Sequence, residues 1–406
     1  MKILLYSMNF TPELTGIGKY SGEMAQWLGA KGHEVRVIAA PPSFPNWEVF
    51  EGHSAWSYRK TDWNGITVWR APTWVPARPR TLARMAHLFS FMLSSLPLLF
   101  AQIRWKPDLV FVVEPPIFCA PAVLFFSKML GIKSWLHIQD YEVDAAFGLG
   151  WVRGARARRV ALSVEHWLLS RFNRVSTISA AMIDKAKDKG IAEDRLVLFP
   201  NWVDVAAIRP GPDSDYRIAL GIPPDAVVVL YAGSLGSKQG IELLADAARL
   251  LIAARHIHFV FCGNGPSREP LRAACARLGN VHFLDLQPAA RLNELLGMAD
   301  IHVLPQRADA ADLVMPSKLA GMLASGKAVI VTAHAGTELS KVVSGRGLVV
   351  APGDAQALAE AIARLAASRQ TREQMGAAGR SFAEEELDQN AILLRFEREL
   401  LRCLTG

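Results

Sequence analysis

The chain has 406 residues, 51% of them hydrophobic and 20% charged, which excludes disordered, low-complexity and fibrous classes and leaves room for two ordinary domains. Its 45 basic residues against 38 acidic ones give a formal charge of +7, which suits nucleic acid, an anionic membrane surface or phosphorylated ligands without choosing among them. Cys119, Cys262, Cys275 and Cys403 lie far apart with no histidine at ligand spacing, so neither a zinc site nor a disulfide framework is expected and a reducing cytoplasm is the simplest location.

Lys2–Ser7 (KILLYS) predicts the first strand, and polar residues follow it at once, so a secretory leader is not expected. A helix is expected near Lys19–Lys31, with Gly16 and Gly18 just before it. The free amides and positive end of such a helix suit a phosphate; a glycine turn without a ligand is the alternative. Ser21 stands where a dinucleotide fingerprint has its third glycine, and the second strand, Glu34–Ala39, runs into Ala40-Pro41-Pro42 with no acid for a ribose, so nicotinamide dinucleotide is not expected. Met85–Ile103 holds 19 residues without a formal charge, a length that can span a bilayer. Pro97, His87, Gln102 and basic residues at both ends favour a buried or membrane-surface helix.

Strands follow at Leu109–Val113, Ser134–Ile138 and Arg174–Ile178. The middle one runs into His137-Ile138-Gln139-Asp140, where a histidine beside a carboxylate can hold a hydroxyl or shuttle a proton; a structural histidine is the alternative. Arg78, Arg80 and Arg84, then Arg153, Arg156, Arg158 and Arg159 ahead of the apolar Val160–Leu169, set arginines beside Trp, Phe and Leu as an anionic lipid surface requires. No helix-turn-helix, RNP or zinc module accompanies them, so nucleic acid is not an expected partner.

Ile208–Ala226, with four prolines and two glycines, suits a connector. The expected domains are therefore 1–205, 206–387 and a terminal helix at 388–406 that packs on whichever apolar surface is open to it, the first domain included. Asp213-Ser214-Asp215 imitates a metal-binding DxD, but no apolar strand precedes it, and no metal is expected. Further strands are predicted at Val227–Ala232, His258–Cys262, Val281–Leu284, Ile301–Leu304, Ala328–Thr332 and Gly347–Val350, giving an α/β chain of two Rossmann-like domains with parallel sheets. Gly233–Gly240 (GSLGSKQG) brings Lys238 and backbone donors to a strand's carboxyl end without Walker A spacing, so Lys238 is a candidate anion ligand and otherwise a solvated charge. Gly263 and Asn264 form a second strand-end turn, open to a base or ribose or simply a turn.

Together Pro12–Val35 (PELTGIGKYSGEMAQWLGAKGHEV), Thr177-Ile178-Ser179, Pro200-Asn201-Trp202-Val203-Asp204, Gly233–Gly240 and Cys262–Pro266 resemble the retaining GT-B glycosyltransferases of family 4 over essentially the whole chain. HIQDYEVDAAFGLG, GSLGSKQG and VMPSKLAGMLASGK are similar to its colanic-acid fucosyltransferase branch. The resemblance implies two Rossmann-like domains facing a cleft, an acceptor and membrane side at 1–205, and a nucleotide-sugar side at 206–387. It implies retaining transfer of a sugar, with GDP-fucose as the donor suggested by the branch, to a lipid-linked saccharide at the inner face of the plasma membrane. Lys238, Gly16, Gly18, Ser234, Gly263, Asn264, Asp312, Met315, Pro316, Ser317 and Lys318 would hold the donor, while His137 orients the sugar and Asp140 positions it or braces its loop. No cofactor or metal is needed if lysine and amides hold the diphosphate. Two departures stand out: Ser234 occupies the place of an expected arginine, and Gly321 that of a ribose-binding glutamate, with Asp312 a stand-in for the sugar-binding acid. The alternatives are a sugar-nucleotide epimerase of related architecture and a membrane-associated scaffold without chemistry.

Overall fold

The computed structural model describes residues 1–14, 16–78, 80–148, 154–211, 215–236, 239–307 and 316–405. The chain packs as two compact units, Met1–Pro200 with Leu393–Gly406, and Asn201–Ile392.

In the first unit the strands are β1 (Lys2–Ser7), β2 (Glu34–Ala39), β3 (Arg59–Trp63), β4 (Ile66–Arg70), β5 (Leu109–Glu114), β6 (Lys133–Ile138), β7 (Arg174–Thr177) and β8 (Leu196–Leu198). They form one sheet in the order β3-β4-β2-β1-β5-β6-β7-β8, parallel except for the antiparallel β3–β4 pair. Strands such as β5, buried along its whole length, carry continuous Leu and Val because helices cover both faces. The β3–β4 hairpin and β8 are additions to the predicted strands. Asn64 and Gly65 close the hairpin with φ of 51° and 80°, the left-handed pair that a two-residue turn between twisted strands requires.

The helix Thr81–Ala101 is long and apolar enough to cross a membrane by length and composition. It instead lies against the first unit, with His87, Phe91, Ser95, Leu98 and Leu99 buried and Ser95 Oγ hydrogen-bonded to Tyr6 Oη of β1. Leu82, Phe89 and Leu93 remain exposed on its outer side. From Leu393 onward the terminal helix Gln389–Thr405 belongs to this unit: Phe396 stacks on Phe199 at 4.0 Å, and Glu397 meets His33 at 2.7 Å.

The second unit contains β9 (Val227–Ala232), β10 (Ile257–Cys262), β11 (Val281–Leu284), β12 (Ile301–Leu304), β13 (Ala328–Thr332) and β14 (Gly347–Val350), paired in parallel in the order β11-β10-β9-β12-β13-β14. The proline-rich stretch expected to connect the domains folds into this unit. Tyr216, Ile222 and Ala226 are buried with Val228 and Leu230, while Arg217 donates to Met298 O and pairs with Asp300 at 2.8 Å. Four prolines signal a break in regular structure, and the described part from Tyr216 to Ala226 packs as wall. The chain passes from one unit to the other earlier, at Pro200–Asn201.

Candidate functional site

The carboxyl ends of β9 and β10 are joined backbone to backbone. Gly233 N donates to Cys262 O at 2.8 Å, and Leu235 N to Asn264 O at 2.9 Å. A Cβ on Gly263 would lie 2.0 Å from Gly233 O, and one on Gly265 2.4 Å from Leu235 O. Both glycines are therefore demanded by the neighbouring loop, which is a sufficient reason for them before any ligand is considered.

Across this junction lies Lys318, in the first turn of the helix Ser317–Ala324. Its Nζ donates to Tyr231 Oη at 2.9 Å and sits 4.8 Å from that ring's centroid, and Tyr231 Oη in turn donates to Ser234 O at 2.6 Å. The Lys318 side chain passes so close to Gly233 that a Cβ there would fall 2.5 Å from Nζ. Burial alone pushes the Lys318 amine down to about 8, and among the described residues no carboxylate pairs with it. Pro316 precedes the helix and gives its first amides no side-chain cap, so positive helix end and ammonium share one place. Ser234 and Ser317 are exposed beside it, as is Asn264 at the next strand end. Lys238, Asp312 and Met315 lie outside the described residues. At Gly321, a Cβ would meet only Leu296 Cδ1 at 3.4 Å.

In the first unit the loop after β1 is filled by its own acid. Glu13 is buried: Oε1 accepts from the amides of Ser43 and Phe44, both at 3.0 Å, and Oε2 from Asn9 Nδ2 at 2.9 Å. A Cβ on Gly18 would come within 2.6 Å of Glu13 Cβ. Gly18 thus makes room for Glu13, whereas Gly16, with φ of 59° and open space around it, leaves the start of the helix Gly16–Ala30 clear. Arg70 holds this loop from below through Ala40 O at 2.7 Å and through Thr11 O.

His137, next to last in β6, has both ring nitrogens occupied. Gln139 Nε2 donates to Nε2 at 2.9 Å, so the proton sits on Nδ1 and goes to Ser176 Oγ, also at 2.9 Å. The ring stacks on Phe111 and is pushed down to about 3 by burial, which keeps it neutral and removes it as a proton shuttle near neutral pH. Asp140 is exposed three residues further along. Beside it lie carboxyls that the sequence did not single out. Glu114 ends β5 fully buried, with neither oxygen hydrogen-bonded, and Glu142 Oε2 accepts from Ile117 N at 2.5 Å. Burial and the neighbouring Glu142, Glu165 and Asp140 push Glu114 far above the ordinary carboxyl range, and Glu142 reaches about 7.

The basic residues fall in two places on the first unit. Arg78 and Arg80 are exposed ahead of the helix Thr81–Ala101, with Arg84 over the Trp47 ring at 5.5 Å. Arg156, Arg158 and Arg159 are exposed on the helix Ala155–Leu169, followed by the exposed Val160, Val164 and Trp167; Arg153 lies outside the described residues. Among the described residues no group of three metal-ligating side chains forms a metal site.

Comparison with known proteins accounts for both units. Residues 15–202 match the Glycosyl transferase 4-like domain and residues 213–382 the Glycosyl transferases group 1 domain. WcaI of Escherichia coli (strain K12), whose name assigns it to colanic acid biosynthesis as a glycosyl transferase, is 42% identical over 412 residues, covering 98% of this chain and all of WcaI. Sucrose-phosphate synthase from Thermosynechococcus elongatus superimposes with a TM-score of 0.76 at 19% identity, over 100% of this chain and 99% of that one. HepE of Anabaena in complex with UDP-glucose gives 0.71 at 16%, over 99% and 100%. A strand-end junction crossed by a buried lysine, on a chain matched along almost its full length, identifies this protein as a glycosyltransferase of the GT-B fold, a member of the family 4-like group to which WcaI belongs.

Proposed function

We propose that the protein transfers a sugar from a nucleoside-diphosphate sugar to a hydroxyl of a lipid-linked saccharide in exopolysaccharide synthesis of the colanic-acid kind, retaining the anomeric configuration. Fucose from GDP-fucose is the proposed donor, on the strength of the likeness to WcaI and of the branch motifs. The observation that carries the reading is Lys318, a buried amine lying over Gly233 with no carboxylate partner among the described residues. As the bond from the anomeric carbon to the diphosphate breaks, negative charge grows on the leaving group. An ammonium and helix-start amides held in place stabilise that charge without reorganising, and each such contact is worth about 3 kcal/mol, roughly a hundredfold in rate.

In this proposal Lys318 and the amides of Ser317 and Lys318 take the diphosphate, Lys238 and Met315 are further proposed ligands to it, and the amides near Gly16 on the first unit are a proposed anion contact in their own right. Asn264, Gly263, Ser234 and Pro316 are the proposed further contacts to the donor, and Asp312 is the proposed sugar-binding acid. Neutral His137 acts by bracing Gln139 and Asp140, since its own nitrogens are taken. With lysine and amides carrying the charge, no metal and no cofactor is required. Arg78, Arg80, Arg84, Arg156, Arg158, Arg159 and Arg153 rest the first unit on the anionic cytoplasmic face of the membrane, where a lipid-linked acceptor is presented.

The test is a transfer assay with radiolabelled GDP-fucose, GDP-mannose and UDP-glucose on a bacterial membrane lipid extract, with EDTA present and absent. The expected result is label moved from GDP-fucose into lipid in either condition, with an anomer matching the donor by NMR. Epimerised donor without an acceptor product, or activity abolished by EDTA, would contradict it.

A further inference from the structure

The first unit carries a surface cavity of about 270 Å³ that has no part in the reaction described above. Lys133 opens β6 and Arg174 opens β7, so the cavity lies at the amino-terminal edge of the sheet, the end opposite His137 and Asp140. Arg171 and Arg195 complete its charged lining, and Asp194 is the single acid facing these four cations. Buried Phe172 is part of the wall.

The cations are not used up by the protein. Arg195 Nη1 donates to Ser170 O at 2.7 Å and Arg174 Nη1 to Asn173 O at 3.2 Å, main-chain contacts that orient each guanidinium and leave most of its five N–H groups unspent. Among the described residues none of the four pairs with a carboxylate. Four cations sharing one acid keep a surplus of positive charge and repel one another, and a multiply charged anion relieves this, with arginine forks matched to its oxygens. The volume lies below the range that holds a drug-sized ligand, which fits one or two phosphate groups rather than a nucleotide.

We infer that this cavity is a second anion site, built for a phosphate group and separate from the donor site of the second unit. Its chemistry is shared by a free phosphate or diphosphate and by a phospholipid headgroup. Arg171 lies 4.3 Å from the ring centroid of Trp167, itself half exposed on the same stripe as Val160 and Val164, so the lipid source has an apolar surface next to the charges.

The experiment uses the whole chain carrying Lys318→Ala, which disables the donor site so that remaining anion binding reports the cavity. Pyrophosphate is titrated calorimetrically against this protein and against the same protein with Lys133→Ala and Arg174→Ala, and both are sedimented with vesicles of phosphatidylglycerol or of phosphatidylcholine. An affinity at least tenfold weaker in the triple variant supports the site. Parallel loss of phosphatidylglycerol binding then assigns it to a lipid headgroup, and retained vesicle binding assigns it to a soluble phosphate. Equal pyrophosphate affinity in the two proteins, or none in either, overturns the inference. Lys133→Gln with Arg174→Gln serves as a second pair, and an unchanged melting temperature without ligand shows that the fold is intact. Nucleotide-sugar binding by the chain with Lys318 intact is expected to be unaffected by the cavity substitutions, so failure here leaves the donor reading untouched.

Discussion

Lys318 shows how one residue's role is set by its surroundings. Its amine sits at about 8 because burial penalises the ammonium and no carboxylate offsets that cost. Below that pH the side chain is charged and ready for a diphosphate; above it the free protein must first bind a proton. Nucleoside diphosphate affinity is therefore expected to fall about tenfold per pH unit above pH 8, a slope that titration calorimetry reads and that Lys318→Ala abolishes. The glycines make a second comparison. Gly263→Ala forces a methyl into Gly233 O and is expected to cost over 3 kcal/mol, while Gly321→Ala, in a helix with only Leu296 nearby, is expected to be neutral or stabilising by about 0.5–1 kcal/mol in denaturant unfolding. The sequence named Ser234 and Gly263 because they follow strand ends, and Lys318 because its motif resembles the family's at a helix start. It missed Tyr231 and Glu13, whose partners lie up to 87 residues away and leave no local pattern.

Among the elements, the parallel strands were legible as runs of Val, Ile and Leu, since a strand covered on both faces has to be apolar throughout. The β3–β4 hairpin escaped because β3 lies at the sheet edge and is polar and exposed; its one strong signal was Asn64-Gly65. The helix Thr81–Ala101 reads as apolar overall, but its two sides do different things. Phe91 is fully buried, so Phe91→Ala is expected to destabilise the protein by about 3–5 kcal/mol. Leu93 is 50% exposed, so Leu93→Asp is expected to leave stability within about 1 kcal/mol while weakening sedimentation with anionic vesicles. An equal loss of stability in both variants would mean that the outer side is packed.

At the scale of the whole molecule, pH acts on the first unit through its buried acids. Glu142 sits at about 7 in the folded chain against an ordinary 4.5, so the folded state holds this proton more tightly. Its contribution to stability falls as pH rises from about 4.5 to 7 and levels off beyond, by up to about 3 kcal/mol. Glu142→Gln keeps an acceptor for the Ile117 amide and is expected to flatten that fall in urea unfolding between pH 5 and pH 8. The resemblance of the motifs supplied GT-B, and length and the alternation of strand and helix patterns were enough to read two Rossmann-like domains. Where the chain crosses between units was not, because Tyr216 and Arg217 tie a proline-rich stretch into the second unit through contacts that its composition does not announce. The central claim, that the second unit grips a nucleoside diphosphate through Lys318, is tested most directly by thermal unfolding with GDP, UDP, ADP and CMP in EDTA. A ligand at a hundredfold excess over Kd adds about 2.7 kcal/mol of stability. The account predicts a rise in melting temperature selective for GDP and lost in Lys318→Ala; a flat panel, or a rise that survives this substitution, would contradict it.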